Sequence, residues 1–217
     1  MKTPRQSSTS YGRSVFINCP FDDAYVPLLR PLLYTVLDLG FSPRIATERS
    51  NSGENRIDKI VTLMRESRFS IHDISRMKSA AEGEFARFNL PFELGIDRGA
   101  QLFGTIRLRK KRCLILDAQP FDYRRALSDL SGVDIKHHLD DPSKIVRAVR
   151  NWFVETAGLT GASSATSIWY GFTEFASAFY DDRKKEGFSD DDLNFMPVPE
   201  YIRAIRNWHV TSAPPRT

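Results

Sequence analysis

The stretch Ser14-Val15-Phe16-Ile17-Asn18-Cys19-Pro20-Phe21-Asp22-Asp23 decides the fold. Its first five residues are a short apolar run closed by Cys19-Pro20. A run of that length without polar alternation reads as a strand buried on both faces. Asp22 and Asp23 then open a helix, because carboxylates in a first turn face the positive end of the helix dipole. Leu28, Leu29, Leu32, Leu33, Val36, Leu37 and Leu39 give that helix a broad apolar face, and Gly40 ends it. Pro27 and Pro31 count against regular geometry in its first turns. A buried strand feeding a helix is the repeating unit of a parallel sheet.

The alternation continues outward. Residues 41–46 read as a second strand, and 55–66 as a helix with Ile57, Ile60, Val61 and Met64 on one face. Residues 68–74 are a third strand, followed by a polar loop over 75–84. A helix then occupies 85–103, or starts at Pro91, since proline suits a first helical turn. In the second case 85–90 is an approach loop and Glu93 sits in the first turn. Residues 111–116 and 133–137 are a fourth and a fifth strand. Residues 142–156 form an amphipathic helix through Ile145, Val146, Val149, Trp152 and Phe153.

This order predicts an α/β fold over residues 13–157: a five-stranded, mostly parallel sheet with helices on both faces, flavodoxin- or Rossmann-like. Residues 1–12 are polar and aperiodic and are expected to be disordered. Residues 158–168 read as a small-residue linker and 169–210 as a C-terminal helical extension. Trp169, Phe172, Phe175 and Phe179 recur there at helical spacing, and 199–208 is a last helix. Such a stripe packs on its own protein or on a partner. The second case predicts a homo-oligomer or an effector complex.

Bulk properties narrow the class. The 217 residues are 41% hydrophobic and 27% charged, with a formal charge of +4, which is ordinary for a water-soluble protein. No apolar run approaches the roughly 20 residues of a membrane span, and no h-region of a secretory signal is seen, so a cytoplasmic location is expected. Cys19 and Cys113 are expected to be reduced thiols, and no metal-ligand spacing is present. The basic clusters 107–112 and 183–185 lack the interleaved aromatics of a nucleic-acid platform. They read as solvated faces that favour an anionic ligand.

Ligands of parallel sheets bind beyond the C-terminal strand ends, which singles out three segments. Asn18, Cys19, Pro20, Phe21 and Tyr25 lie where the first strand meets a helix N-terminus that suits a phosphate. No glycine-rich dinucleotide fingerprint and no phosphate-loop lysine are present. Tyr25 stacks on a base or holds a sugar, or it joins Phe21 in stapling the helix start. Asp73, Ser75 and Arg76 end the third strand. Asp73 holds ribose hydroxyls or caps a turn, and the neighbouring His72 reads as structural. Asn89, Phe92 and Glu93 form the third segment. Phe92 and Leu94 would desolvate Glu93, and Gly95 would let its helix approach a strand. A desolvated carboxylate can attack an anomeric carbon or stabilise an oxocarbenium ion. It is also an ordinary helix-start glutamate.

Taken together, Asn18-Cys19-Pro20-Phe21, Ile71-His72-Asp73-Ile74-Ser75 and Phe92-Glu93-Leu94-Gly95 resemble the nucleoside 2-deoxyribosyltransferase-like family and the related TIR-type layout. The resemblance covers about residues 14–157. It implies that Glu93 is the catalytic carboxylate, that Tyr25 supports it, and that Asp73 binds the nucleoside. It departs from the family at Arg87-Phe88-Asn89-Leu90-Pro91, where a D-x-G-T run is usual. Arg76, Arg87 and Asn89 instead point to a phosphorylated ligand. The expectation is an N-glycosidase or glycosyltransferase acting on a nucleotide, nucleoside or NAD. It needs no cofactor beyond that substrate and no metal, and it fits use as a defence or toxin effector. A non-catalytic nucleotide-sensing or partner-binding module is the alternative.

Overall fold

The computed structural model describes residues 8–48, 50–77 and 87–212. Its elements in chain order are α1 (Ser8–Arg13), β1 (Ser14–Asn18), α2 (Val26–Asp38), β2 (Ser42–Ile45), α3 (Arg56–Arg65), β3 (Phe69–Asp73), α4 (Asn89–Phe103), α5 (Ile106–Arg109), β4 (Arg112–Asp117), β5 (Lys136–His137), α6 (Pro142–Ala157), α7 (Ala165–Lys185), α8 (Asp190–Asn194) and α9 (Val198–Ser212). Among the described residues no helix is long and apolar enough to cross a membrane.

The five strands form one sheet in the order β2-β1-β3-β4-β5, and every pairing is parallel. This is the flavodoxin-type order, with its switch point between β1 and β3. All residues of β1 and β3 are buried, so both faces of the central strands are covered, as their unbroken apolar runs require. Pairing of Phe16 with Ser70, Asn18 with His72 and Ser70 with Cys113 places these side chains on one face. Phe16, Ala46, Ile60, Leu63 and Met64 pack there, with Ile96 of α4 against them. Ile74, Leu94, Ile115, Tyr123 and Ile135 form a second cluster. α3 starts where the Asn55 side chain accepts the Ile57 amide at 2.9 Å, the usual role of an N-cap asparagine.

The chain divides into two compact units. The first comprises Met1–Pro20, Phe41–Ala46 and Asn51–Asp140 and contains the whole sheet. The second comprises Phe21–Gly40, Thr47–Ser50 and Asp141–Thr217 and is helical. In the second unit the Tyr34 ring of α2 lies 5.7 Å from Phe172 and 5.7 Å from Phe175. Phe175 in turn meets Tyr201 and Trp208 of α9. The aromatic stripe of α7 therefore packs on helices of its own unit. Gly171 permits this closeness, because a Cβ there would come within 2.9 Å of the Tyr34 hydroxyl.

Several expected boundaries differ. Ser8–Arg13 is helical rather than disordered, and residues 1–7 lie outside the described residues. α6 and α2 group with the C-terminal helices, so the units do not part at residue 157. α7 begins at Ala165, inside the expected linker, because the Ser164 hydroxyl caps it through the Ser167 amide. β5 keeps only two of its five expected residues. α4 begins at Asn89, which puts Glu93 in its second turn rather than its first. Most of the expected 75–84 loop, and the earlier helix start at 85, lie outside the described residues.

Candidate functional site

The buried residues of α4 are Leu90, Glu93, Leu94 and Asp97. This is the inward stripe of a 3.6-residue period, with carboxylates at two positions where apolar residues are usual. Burying a carboxylate is costly unless it is paired, so the partners of these two groups define the site.

Asp97 is fully buried. The Ser70 hydroxyl donates to its Oδ2 at 2.5 Å, His72 Nε2 lies 3.2 Å from the same oxygen, and the Lys111 ammonium lies 3.0 Å from Oδ1. Burial pushes the Asp97 carboxyl up, but the His72 hydrogen bond, the Lys111 ammonium and the Ser70 hydroxyl together hold it well below the usual carboxylate range. Lys111 also donates to the carbonyls of Met64 at 2.7 Å and Ser67 at 2.9 Å. Lys111 is thus an internal ion-pair partner, whereas the sequence placed the whole 107–112 cluster on a solvated face.

The chain of contacts runs on to the switch point. Asn18 Nδ2 lies 3.1 Å from His72 Nδ1 and donates to the Leu90 carbonyl at 3.0 Å. A carbonyl only accepts, so the amide nitrogen must face Leu90, and His72 Nδ1 accepts from the same group. The ring proton then sits on Nε2, facing Asp97. Asn18 is 2% exposed, and its Oδ1 has no hydrogen-bond partner among the described residues.

Glu93 is 4% exposed. Its Oε1 lies 3.5 Å from Arg56 Nη2, on a side chain that is 54% exposed. Burial raises the Glu93 carboxyl above its ordinary value; the charge of Arg56 and hydrogen bonds from Arg56 and Asn89 offset this only in part. The geometry is that of a desolvated carboxylate, incompletely compensated, with a half-exposed guanidinium beside it. Asn18, Arg56, His72, Asn89, Glu93 and Asp97 are its polar framework, all within the first unit.

Asp73 is fully buried; its Oδ1 accepts the Ser75 amide at 2.9 Å and its Oδ2 lies 3.1 Å from His138 Nε2. It follows His72 in the strand and so projects to the opposite face. The contacts of Asp73 and those of Glu93 form separate groups. The Ser75 hydroxyl is buried without a partner among the described residues, and Arg76 is half-buried, its carbonyl accepting from the Arg87 amide. Cys19 and Pro20 are buried. Phe92 is 62% exposed, so the desolvation of Glu93 comes from the inward face of the helix and not from Phe92. A Cβ at Gly95 would meet nothing within 4 Å, so that glycine is not needed for close packing. Tyr25 is fully buried and Phe21 half-buried. Both belong to the second unit, whereas Glu93 belongs to the first.

His72, Asp97, Arg56 and Lys111 were missed from sequence. Two signals pointed to them: Asp97 stands four residues after Glu93 on the inward stripe, and Ser70 and His72 share one face of β3. Donor atoms of His72, Asp97 and Cys113 lie within 4.8 Å of one another. The residues do not fit a metal, because the Lys111 ammonium already faces Asp97 and burial pushes the Cys113 thiol up to about 12, far from the thiolate a metal needs. The sequence matches no family model, and comparison with curated proteins and with solved structures found no match.

Proposed function

We propose that the first unit cleaves the N-glycosidic bond of a nucleotide, nucleoside or NAD, with Glu93 as the working carboxylate. The observation that carries this is the buried, incompletely compensated Glu93 beside Arg56, at the switch point of a parallel sheet. In the step, the bond from the anomeric carbon to the base breaks and the base leaves with the electron pair. Glu93 bonds to that carbon or stabilises the oxocarbenium ion, and water or a second acceptor completes the transfer. Asn18 contributes an acceptor for a sugar hydroxyl. Arg56 serves an anionic group of the substrate, leaving Glu93 as it does so. Use as a defence or toxin effector is compatible with such an activity and predicts growth arrest on expression.

The test is incubation with NAD and a nucleotide panel, following base release for the wild type and Glu93→Gln. Release that the substitution does not change refutes the mechanism. A second reading, a nucleotide-sensing module, draws on the Arg56–Glu93 ion pair, which engages the carboxylate, and on the separate partners of Asp73. It predicts saturable nucleotide binding with no turnover, equal in the two proteins.

A further inference from the structure

Beyond the C-terminal ends of β3 and β4 the first unit contains a cavity of about 340 Å³. That volume is at the lower end of small-molecule sites. Ile74, Met77 and Ala126 are its apolar walls, and Ser75, Asp117, Asp122 and Arg125 its polar groups.

Asp117 closes β4 and is 3% exposed. Its oxygens accept the Ala118 amide at 2.7 Å and the Tyr123 amide at 3.2 Å. These bonds hold the carboxylate in place and leave each oxygen a further lone pair. Burial, opposed by the two amides and aided by the charges of Asp73 and Asp122, pushes the carboxyl up to about 6. A donor brought to it therefore relieves an unfavourable charge. The Ser75 hydroxyl is buried and has no hydrogen-bond partner among the described residues, while the Ser75 amide is pinned on Asp73. Arg125 is exposed, and its guanidinium makes no ion pair among the described residues. The cavity thus has acceptors in its depth, a cation at its mouth and apolar walls between.

The geometry points to this cavity as a binding site for a small amphoteric molecule, with N–H donors at one end for Asp117 and Ser75 and an anionic group at the other for Arg125. A basic α-amino acid and a nucleotide with an amino-bearing base both have this chemistry. Glu93 is not part of the site, so the inference stands apart from the glycosidic reading.

The test is calorimetric titration of the full chain with arginine, cytidine 5′-monophosphate, and agmatine, which has the guanidine head of arginine without its carboxylate. Saturable binding of arginine or of the nucleotide is expected, and which one binds identifies the source. Arg125→Ala weakens that probe, through its carboxylate or phosphate, about tenfold, the scale of one lost charge-assisted hydrogen bond, and does not weaken agmatine. Asp117→Asn weakens both ends' binding partners alike. Because Asp117 also holds two amides, Ser75→Val is the companion variant: it fills the cavity without removing any hydrogen bond seen for that side chain, and it abolishes binding while the circular dichroism is retained. Nucleotide binding that persists at full strength in Ser75→Val belongs to the Glu93 site and not to this cavity. No saturation with either arginine or the nucleotide, or wild-type affinity in Ser75→Val, overturns the site; a carboxylate- or phosphate-bearing probe indifferent to Arg125→Ala overturns the amphoteric assignment.

Discussion

Replacing Lys111 by methionine removes one charge from the buried cluster while nearly keeping its volume. The ammonium is 3.0 Å from Asp97 and donates to the Met64 and Ser67 carbonyls at 2.7 and 2.9 Å, with the residue 3% exposed. The substitution leaves Asp97 as a buried carboxylate held only by Ser70 and His72, and it takes one donor each from the Ser67 and Met64 carbonyls, of which the latter keeps the Ser67 amide at 3.3 Å. Breaking a buried pair from one side costs about 3–5 kcal/mol, a large share of the roughly 5–15 kcal/mol that holds a domain together. The double change Asp97→Leu with Lys111→Met removes both charges and loses less than the sum of the two single variants, because no uncompensated charge is left behind. Urea unfolding followed by far-ultraviolet circular dichroism gives all four corners of the cycle. A single-variant loss below about 1 kcal/mol, or a double-variant loss equal to the sum of the singles, refutes the argument that Lys111 neutralises Asp97.

Other outcomes follow from the same geometry. The folded Asp117 carboxyl is raised to about 6, above the unfolded value of about 3.9. Its contribution to stability is therefore full below about pH 4 and is lost as pH rises through about 6; Asp117→Asn flattens that interval, and carbon-detected NMR titration should place its midpoint there. Glu93 is raised for the same reason, so Glu93→Leu should increase stability at neutral pH by about 1 kcal/mol while ending base release; a Tm that falls would show that the carboxylate is structurally required. The His72 imidazole should appear in long-range ¹H–¹⁵N spectra as the Nε2–H tautomer, and an Nδ1–H signal would contradict the Asn18 amide orientation.

Much of the fold was legible because burial writes itself into periodicity. Val15, Phe16 and Ile17 announced a doubly covered strand, and the 142–156 stripe announced α6 nearly to the residue. Helix starts were less legible where capping chemistry was indirect: α4 begins at Asn89 with no side-chain cap from Phe88, so neither Pro91 nor the earlier aromatic marked it. The location of Glu93 was legible as a strand-to-helix segment. Its partners were not, since Arg56 and His72 stand 37 and 21 positions away in the chain.

The sequence by itself determined the alternation of strands and helices, the all-round burial of β1 and β3, and the presence of carboxylates near strand ends. Those properties depend on the local period of apolar residues, which needs no distant neighbour. Only the tertiary structure decided which charges meet. It turned Lys111 inward to Asp97, joined Asn18 through His72 to that pair, and set Asp73 with His138 apart from Glu93. The physical reason is that a buried charge takes its character from partners within a few ångströms, and parallel strand order brings together residues that the chain keeps far apart.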